Sequence, residues 1–261
     1  MTPTGLYVYA LVPADTLTQA DLPRGIDGAA LDLVPAGQLA AIVHECETEP
    51  YQGPDSDVKR WVLEHSQVVD DAWQAAGTVL PMTFNVIVAP ATETEQTAQH
   101  RLGEWLTSSA DTIRDHLEKL RNHVELRVDI SLDEETVTAS HPEVLELSKG
   151  LEDRPAGVQR LYRKRLEERT RQVAERIADQ LYPQYRQRLV ALAEDMVENS
   201  KPGRTPGMVT VLTASLLVHQ DNVDAVGVAL ADIRDNQPGV QIRYLGPWPP
   251  YSFADVPALE N

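Results

Sequence analysis

Cysteine, aromatic residues and basic residues are all scarce in this chain of 261 residues. The single cysteine, Cys46, excludes an intrachain disulfide and a thiolate-rich zinc site. Aromatic residues make up 5% of the sequence, and 40 acidic residues outnumber 23 basic ones, which gives a formal net charge of -17. Such an acidic surface repels phosphate backbones, so a nucleic acid is not an expected partner.

Long apolar segments are also absent from the sequence. The longest mainly apolar stretch, 209–218, is about half the length of a membrane-spanning helix. The first residues lack the basic segment, apolar stretch and cleavage site of a secretory signal. With 42% hydrophobic residues, the chain can build one large or two modest cores. We therefore expect a soluble, cytoplasmic protein that does not bind a lipid membrane.

No sequence motif of a common enzyme class occurs in the chain. We find no phosphate-binding glycine loop, G-x-S-x-G elbow, H-E-x-x-H pair or dinucleotide fingerprint. His44 and Cys46 are suitable ligands for a soft metal, but no second pair of ligands accompanies them. A packed strand end is the better interpretation of these two residues. We predict no catalytic residue, no metal and no cofactor.

His65 is the candidate for acid–base chemistry. It precedes Asp70 and Asp71 on a predicted helix, and a histidine beside a carboxylate can act as a general base. Asp70, however, points away from the face that His65 shares with Trp61 and Val69. This geometry favours a partly buried histidine whose ring bonds a backbone carbonyl.

The first 130 residues combine apolar strands with amphipathic helices. Their periodicity predicts four main strands, a short additional strand, and two long helices on one face of the sheet. The strands are expected at 5–12, 31–34, 39–43, 78–88 and 124–130. One helix is expected to follow the N-cap candidates at 55–57 and to end at about residue 76, and the other is expected at about 93–120. This order indicates a modified ferredoxin-like sandwich, which we assign to an N-terminal domain at residues 1–130.

The remaining residues, 131–261, are predicted to form a second, α-rich domain. An apolar stripe runs from 155 to 199 as one long helical segment, which Pro183 should kink or divide. A strand at 208–218, a helix and a strand at 240–245 then form a β-α-β unit. The expected fold class is therefore α+β with two domains.

Arginines cluster in the long helical segment. Between Arg160 and Arg188, nine basic residues accompany four acidic ones. One interpretation is a solvated face whose arginines pair with the protein's own carboxylates, and the other is a docking surface for an acidic protein partner. No aromatic stacking platform accompanies the arginines, which disfavours nucleic acid. The candidate partner-binding residues are Arg160, Arg163, Arg165 and Arg169.

The segment GPWPPYSF, at 246–253, is the most distinctive part of the sequence. Its three prolines favour extended polyproline geometry, and Trp248, Tyr251 and Phe253 supply large apolar area in a chain poor in aromatics. Two interpretations stay open. The rings form a lid on the protein's own core, or they form a clamp for a partner.

Several segments together resemble the gas vesicle GvpF/GvpL family over nearly the whole chain. They occur in the family's order, with His65 and the arginine-rich helix between them. The segments are LYVYALV (6–12), LAAIV (39–43), VLPMTF (79–84), VELRVDI (124–130) and IRYLGPWPPYSF (242–253). One departure concerns Thr83 and Asn85, where the family pattern implies an arginine and a glycine, so an anion contact or a tight glycine turn is in question there.

The resemblance implies a two-domain α+β accessory protein without catalysis that acts in gas vesicle assembly and is associated with gas vesicles in the cytoplasm. Its implied partners are the small apolar shell protein and other accessory proteins of the same system. Apolar shell subunits would aggregate in water unless they are covered before polymerisation, and an acidic protein with an apolar and arginine-rich helix can cover them. Two alternatives stay open: a ferredoxin-like enzyme that uses His65, and an RNA-binding regulatory module.

Overall fold

The structure is a computed structural model that describes residues 4–91, 95–152, 154–200 and 205–257. The chain divides into two units. The first contains Met1–Glu125 and Trp248–Asn261, and the second contains Leu126–Pro247. This division differs from the predicted domains in two respects: the boundary lies at residue 125 instead of 130, and the residues from Trp248 onward belong with the first unit.

The first unit is built on an antiparallel sheet. Its strands are β1 (Thr4–Pro13), β2 (Asp32–Ala36), β3 (Leu39–Glu47), β4 (Leu80–Pro81) and β5 (Ile87–Val88). The strand order is β2-β3-β1-β4, and β5 also pairs with β1. β1 is buried on both faces, as its continuous apolar sequence predicts for a central strand. The predicted strand at 78–88 is divided into β4 and β5, because a turn that includes Asn85, with φ of 72°, interrupts the extended backbone between them.

A β-bulge in β1 sets the direction of its side chains. Val8 pairs with Val43 and Ala10 pairs with Ile42, so Tyr9 is an extra residue on its strand. Tyr7 and Tyr9 share one face by ordinary alternation, and after the bulge Ala10 continues on that same face. The bulge therefore directs two neighbouring residues, Tyr9 and Ala10, into one core.

One face of the sheet is covered by α1 (Asp55–Ala76). Asp55 and Asp57 lie in its first turn, where negative charge interacts favourably with the helix dipole. Gly77 ends the helix as predicted, in the left-handed conformation with φ of 70°. The buried residues of α1 pack in the core that contains Tyr7 and Tyr9.

The opposite face is covered by α2 (Ala98–Ser108) and α3 (Ala110–Leu120). Both helices contact β1, and their buried residues lie outside the core formed by α1. The prediction of a single helix over 93–120 on the same face as α1 is therefore wrong. Ser109 separates two helices, and residues 93 and 94 lie outside the described part of the chain.

In its described residues, the second unit contains a four-stranded sheet and four α-helices. Its strands are β6 (His123–Asp133), β7 (Asp195–Glu198), β8 (Met208–His219) and β9 (Val240–Trp248), in the order β7-β8-β6-β9. Its helices are α4 (Glu134–Thr138), α5 (Pro142–Ser148), α6 (Ala156–Val190) and α7 (Val223–Asn236). The predicted strand at 124–130 exists as β6, but it pairs with β8 and β9. The prediction that it completes a ferredoxin-like sheet in the first unit is wrong.

The β-α-β unit is present as β8, α7 and β9, with β6 between its two strands. The long helix α6 includes Pro183 and is not divided there. Pro183 is exposed, so water can bond the carbonyl that the proline leaves without a donor. α6 ends at Val190, and part of the predicted helical segment instead forms β7. In the described part of the chain, no helix has the length and hydrophobicity required to cross a membrane.

Gly25 provides a test of the packing around the bulge. A Cβ atom at this position would overlap the Tyr9 hydroxyl and the Leu31 side chain. We expect Gly25→Ala to lower the free energy of unfolding by about 1–3 kcal/mol, measured by urea denaturation.

Gly103 is the matched control, because a Cβ atom there meets no other atom within 4 Å. Gly103 lies inside α2, so Gly103→Ala should raise stability by about 0.5–1 kcal/mol. Equal effects of the two substitutions would contradict the packing described for Tyr9.

Candidate partner-binding surfaces

The part of α6 from Arg169 onward is held to its own unit by ion pairs. The buried residues of the helix begin at Val173. Four arginines bond carboxylates of the second unit at N–O distances of 2.6 to 2.9 Å: Arg169 and Arg176 with Glu143, Arg186 with Glu198, and Arg188 with Asp232. From Arg169 onward, the arginines therefore pair with the protein's own acidic residues.

The N-terminal half of α6 differs from the rest of the helix. No residue between 156 and 172 is buried. Val158 and Leu161 are 39% and 52% exposed, although both are large apolar side chains. We use the name helix-end surface for the exposed residues Val158, Arg160, Leu161, Arg163, Lys164 and Arg165.

The basic residues of the helix-end surface contact no carboxylate among the described residues. Arg163 bonds the Gln159 side chain, and the Arg165 guanidinium lies 5.8 Å from the centre of the Tyr162 ring. Of the four arginines predicted to bind a partner, Arg160, Arg163 and Arg165 thus remain exposed, whereas Arg169 is paired with Glu143. The interpretation of pairing with the protein's own carboxylates therefore holds from Arg169 onward, and the interpretation of a docking surface stays a prediction for Arg160, Arg163 and Arg165.

The GPWPPYSF segment is held against the first unit. The backbone N–H and the hydroxyl of Ser252 both donate to the Glu125 carboxylate, at 2.7 and 2.6 Å. Pro249 and Pro250 are buried, and Tyr251 packs against the core formed by α1. Burial raises the pKa of the Tyr251 hydroxyl well above its usual range.

The position of Tyr251 supports the lid interpretation for this ring. Trp248 and Phe253 are half-buried, so each ring keeps part of its surface accessible to water. A role of Trp248, Tyr251 and Phe253 in partner binding stays a prediction.

His65 is buried in the first unit, where it is 2% exposed. Its Nε2 atom lies 3.1 Å from the carbonyl oxygen of Met82, so Nε2 carries the proton and donates to that oxygen. Nδ1 accepts from the Tyr7 hydroxyl at 2.9 Å, and that hydroxyl accepts from the Asn85 backbone N–H at 3.1 Å. Both ring nitrogens therefore have partners, and neither partner is a carboxylate.

His44 forms a parallel network. The Tyr9 hydroxyl accepts from the Ile26 backbone N–H at 2.8 Å, which leaves its proton to donate to His44 Nδ1 at 2.8 Å. His44 Nε2 then donates to the Tyr51 hydroxyl at 3.0 Å. The Tyr7 and Tyr9 rings also pack against each other, with centroids 4.8 Å apart.

Burial sets the charge state of both networks. It lowers the pKa of His44 and of His65 to about 4, so both imidazoles are neutral at pH 7. Burial also raises the pKa of Tyr7 and of Tyr9 well above the usual range, so both remain hydrogen-bond donors. The arrangement satisfies buried polar groups and does not resemble a general base poised beside a substrate.

Asn85 replaces the glycine that the family pattern implies. Its φ of 72° lies in the left-handed region, which asparagine tolerates better than most residues. Its side chain also accepts from the Tyr51 N–H at 2.9 Å and donates to the Tyr51 carbonyl at 3.2 Å. The tight turn is therefore formed without glycine.

The contacts of His44 and the protonation state of Cys46 do not favour a soft-metal site at these two residues. His44 bonds Tyr9 and Tyr51, and burial raises the pKa of the Cys46 thiol to about 11. In the described segments, no three His, Cys, Asp or Glu side chains are grouped as metal ligands would be. Sequence analysis missed the tyrosine partners of both histidines, and the signal for them is the Y-x-Y pattern of Tyr7 and Tyr9 in an otherwise apolar strand.

The buried histidines predict a loss of stability in acid. Their pKa values in the folded state, about 4, lie below the ordinary value of 6.5. The stability that the neutral histidines provide is therefore fully present above pH 6.5. As the pH falls from 6.5 to 4, the free energy of unfolding should decrease by about 3 kcal/mol per histidine. Urea denaturation across this pH range measures the effect.

The double variant His44→Gln/His65→Gln should be less stable at pH 7 and should lose less stability between pH 6.5 and 4. His100 is a suitable control, because its side chain is 57% exposed. His100→Gln should change the free energy of unfolding at pH 7 by less than about 0.5 kcal/mol. If the stability of the double variant depended on pH as that of the original protein does, His44 and His65 would not be the source of the acid instability.

The lid role of Tyr251 predicts a difference between two substitutions. Tyr251→Ala removes a ring that packs on the core and should lower the free energy of unfolding by about 2–4 kcal/mol. Tyr251→Phe keeps the ring and should cost less than about 1.5 kcal/mol. Thermal unfolding of both variants measures the difference, and an unchanged melting temperature for Tyr251→Ala would show that the ring is not a lid.

Comparison with known proteins places these features in a family. The protein-family model described as gas vesicle synthesis protein GvpL/GvpF matches residues 5–255 of this chain. Gas vesicle protein L2 of Halobacterium salinarum is 31% identical, over 96% of this chain and 91% of that protein. Gas vesicle protein L of Haloferax mediterranei is 30% identical, over 88% of this chain and 72% of that protein.

A crystal structure also matches. GvpF from Anabaena sp. PCC7120 superposes with a TM-score of 0.71 at 19% identity, over 98% of this chain and all of that one, which shows a shared fold. The sequence matches and the fold agree along nearly the whole length, so this chain belongs to the GvpL/GvpF family of gas vesicle proteins.

Proposed function

We propose that this protein assists gas vesicle assembly by binding the small apolar shell protein and other accessory proteins of the same system. The accessory role in gas vesicles follows from family membership. The binding step, its cytoplasmic location and the absence of catalysis are the proposed parts. In this proposal, the protein covers apolar shell subunits until they join the growing wall.

The exposed apolar residues of the helix-end surface are the main observation that supports this proposal. An isolated polar helix is only marginally stable in water, and most helices in proteins gain stability by burying an apolar face. The first half of α6 buries none of its residues among the described part of the chain, yet it exposes Val158 and Leu161. A partner that packs on these apolar residues would supply the missing burial.

The charges around Val158 and Leu161 favour a reversible complex. Arg160, Arg163 and Arg165 surround the apolar residues and are exposed. Guanidinium groups at the rim can bond carboxylates of a partner while the apolar centre packs. Rim charges contribute more to the association rate and to specificity than to affinity, which suits a factor that must release its partner.

The environment of His65 supports a role without catalysis. A general base needs a free lone pair within reach of a substrate proton. His65 Nδ1 is occupied by the Tyr7 hydroxyl, and the ring is enclosed by Tyr7, Tyr9 and Phe84. These contacts count against the alternative of a ferredoxin-like enzyme.

Charge reversal on the helix-end surface tests the binding step. Shell protein is co-expressed with the tagged protein and captured on an affinity resin. We expect Arg163→Glu/Arg165→Glu to reduce the captured shell protein at least about tenfold, because each lost or reversed charge contact is worth roughly 1 kcal/mol or more. Both arginines are exposed, so the melting temperature should not change.

Arg114→Glu/Arg121→Glu is the matched control. Arg114 is exposed and Arg121 is half-buried, and both lie in or next to α3, where they pair with Asp111 and Glu118. Their reversal changes the net charge by the same amount. The control should capture as much shell protein as the original protein. Undiminished capture by Arg163→Glu/Arg165→Glu would remove the helix-end surface from the proposal.

A further inference from the structure

The two units differ strongly in charge. The first unit contains 21 acidic and 7 basic residues, whereas the second contains 19 acidic and 16 basic residues. Most of the net charge of -17 therefore belongs to the first unit. Charges of opposite sign on different surfaces of one chain attract between two copies of that chain.

A cleft of about 540 Å³ in the first unit concentrates this negative charge. Its walls include Tyr51 and Trp61, whose rings lie edge to face with centroids 5.1 Å apart. Glu45, Glu47 and Glu49 also line it and are exposed. We call these five residues the acidic cleft.

The chemistry of the acidic cleft suits a guanidinium group. A guanidinium stacks on aromatic faces and bonds carboxylates in a bidentate way. In the described part of the chain, Glu45, Glu47 and Glu49 have no ion-pair partner. The nearby Arg60 is occupied, because it bonds Asp27 and Glu64.

The helix-end surface has the complementary chemistry. Its cations are Arg160, Arg163, Lys164 and Arg165, and they lack carboxylate partners among the described residues. Val158, Leu161 and Arg165 are spaced by three and four residues, so they share one face of the helix. This face can place apolar side chains against Tyr51 and Trp61 while its arginines reach the glutamates.

We infer that the helix-end surface of one copy of this protein docks in the acidic cleft of a second copy. The net charge opposes association at long range, but salt screens it beyond about 8 Å at physiological ionic strength, so the local charges decide the contact. The two surfaces differ, so the contact is head-to-tail and produces rings or open chains of copies.

This inference concerns the protein by itself and does not rest on the proposed function. The proposed function assigns the same helix-end surface to vesicle proteins, so self-association and capture of the shell protein would compete. Self-association would then keep the exposed apolar residues Val158 and Leu161 covered in the absence of a vesicle partner.

Sedimentation equilibrium of the full chain tests self-association. The weight-average mass should increase at least about twofold with protein concentration at about 150 mM salt, and much less at about 500 mM salt, because the contact is electrostatic. A monomer mass at every concentration and at both salt levels would overturn the inference.

Charge exchange tests which surfaces meet. One variant carries Arg163→Glu/Arg165→Glu on the helix-end surface, and the other carries Glu45→Lys/Glu47→Lys in the acidic cleft. Each variant alone should stay monomeric. An equimolar mixture should associate again, because the reversed helix meets the reversed cleft and each unchanged surface still finds its partner.

Arg114→Glu/Arg121→Glu is the matched control, and it should self-associate as the original protein does. Melting temperatures show that each variant is folded. Association of either reversed variant alone, or a mixture that stays monomeric, would overturn the pairing of these two surfaces. Capture of shell protein is measured separately, so failure here leaves the proposed function intact.

Discussion

The hydrogen bonds between two strand tyrosines and two buried histidines fix the relative positions of β1, β3, α1 and the turn at Asn85 in the first unit. Buried polar groups must find partners, because an unsatisfied one costs about 1–3 kcal/mol. Tyr7 and Tyr9 supply those partners from the central strand, His44 from β3 and His65 from α1. The turn at Asn85 closes the network from a fourth segment. A single set of hydrogen bonds therefore fixes where the helix, two strands and one turn lie.

The same hydrogen bonds leave no ring nitrogen of His44 or His65 free to take a proton from a substrate. Each ring nitrogen is committed to a hydrogen bond, and burial keeps the rings neutral. The residues available to a partner lie instead at the exposed start of α6, in the acidic cleft and partly in the tail. Family membership gives the protein an accessory role in gas vesicles, and the use of these surfaces by a partner is our proposal. The core of the first unit thus satisfies the hydrogen bonds of both buried histidines, whereas the glutamates of the acidic cleft and the cations of the helix-end surface have no ion-pair partner among the described residues.

Local signals predicted many elements correctly. β1 and β3 are continuous apolar runs, and Gly77 ends α1, because strand propensity and helix capping depend on neighbouring residues. The strand at 124–130 also exists, but its assignment to the first sheet was wrong. Alternating apolar residues show that one face is buried and do not identify the neighbouring strand, because pairing depends on residues far away in the chain.

The sequence by itself determined the family, the mixed α and β composition, the long arginine-rich helix and the acidic excess, because motifs, periodicity and charge are properties of residue order. Only the tertiary structure decided which arginines are paired, since Arg169 finds Glu143 through the packing of α5 on α6. It also decided that Tyr251 lies on the first unit's core and that His65 bonds Tyr7. These contacts join residues distant in the chain, and a single sequence carries no direct signal of their proximity.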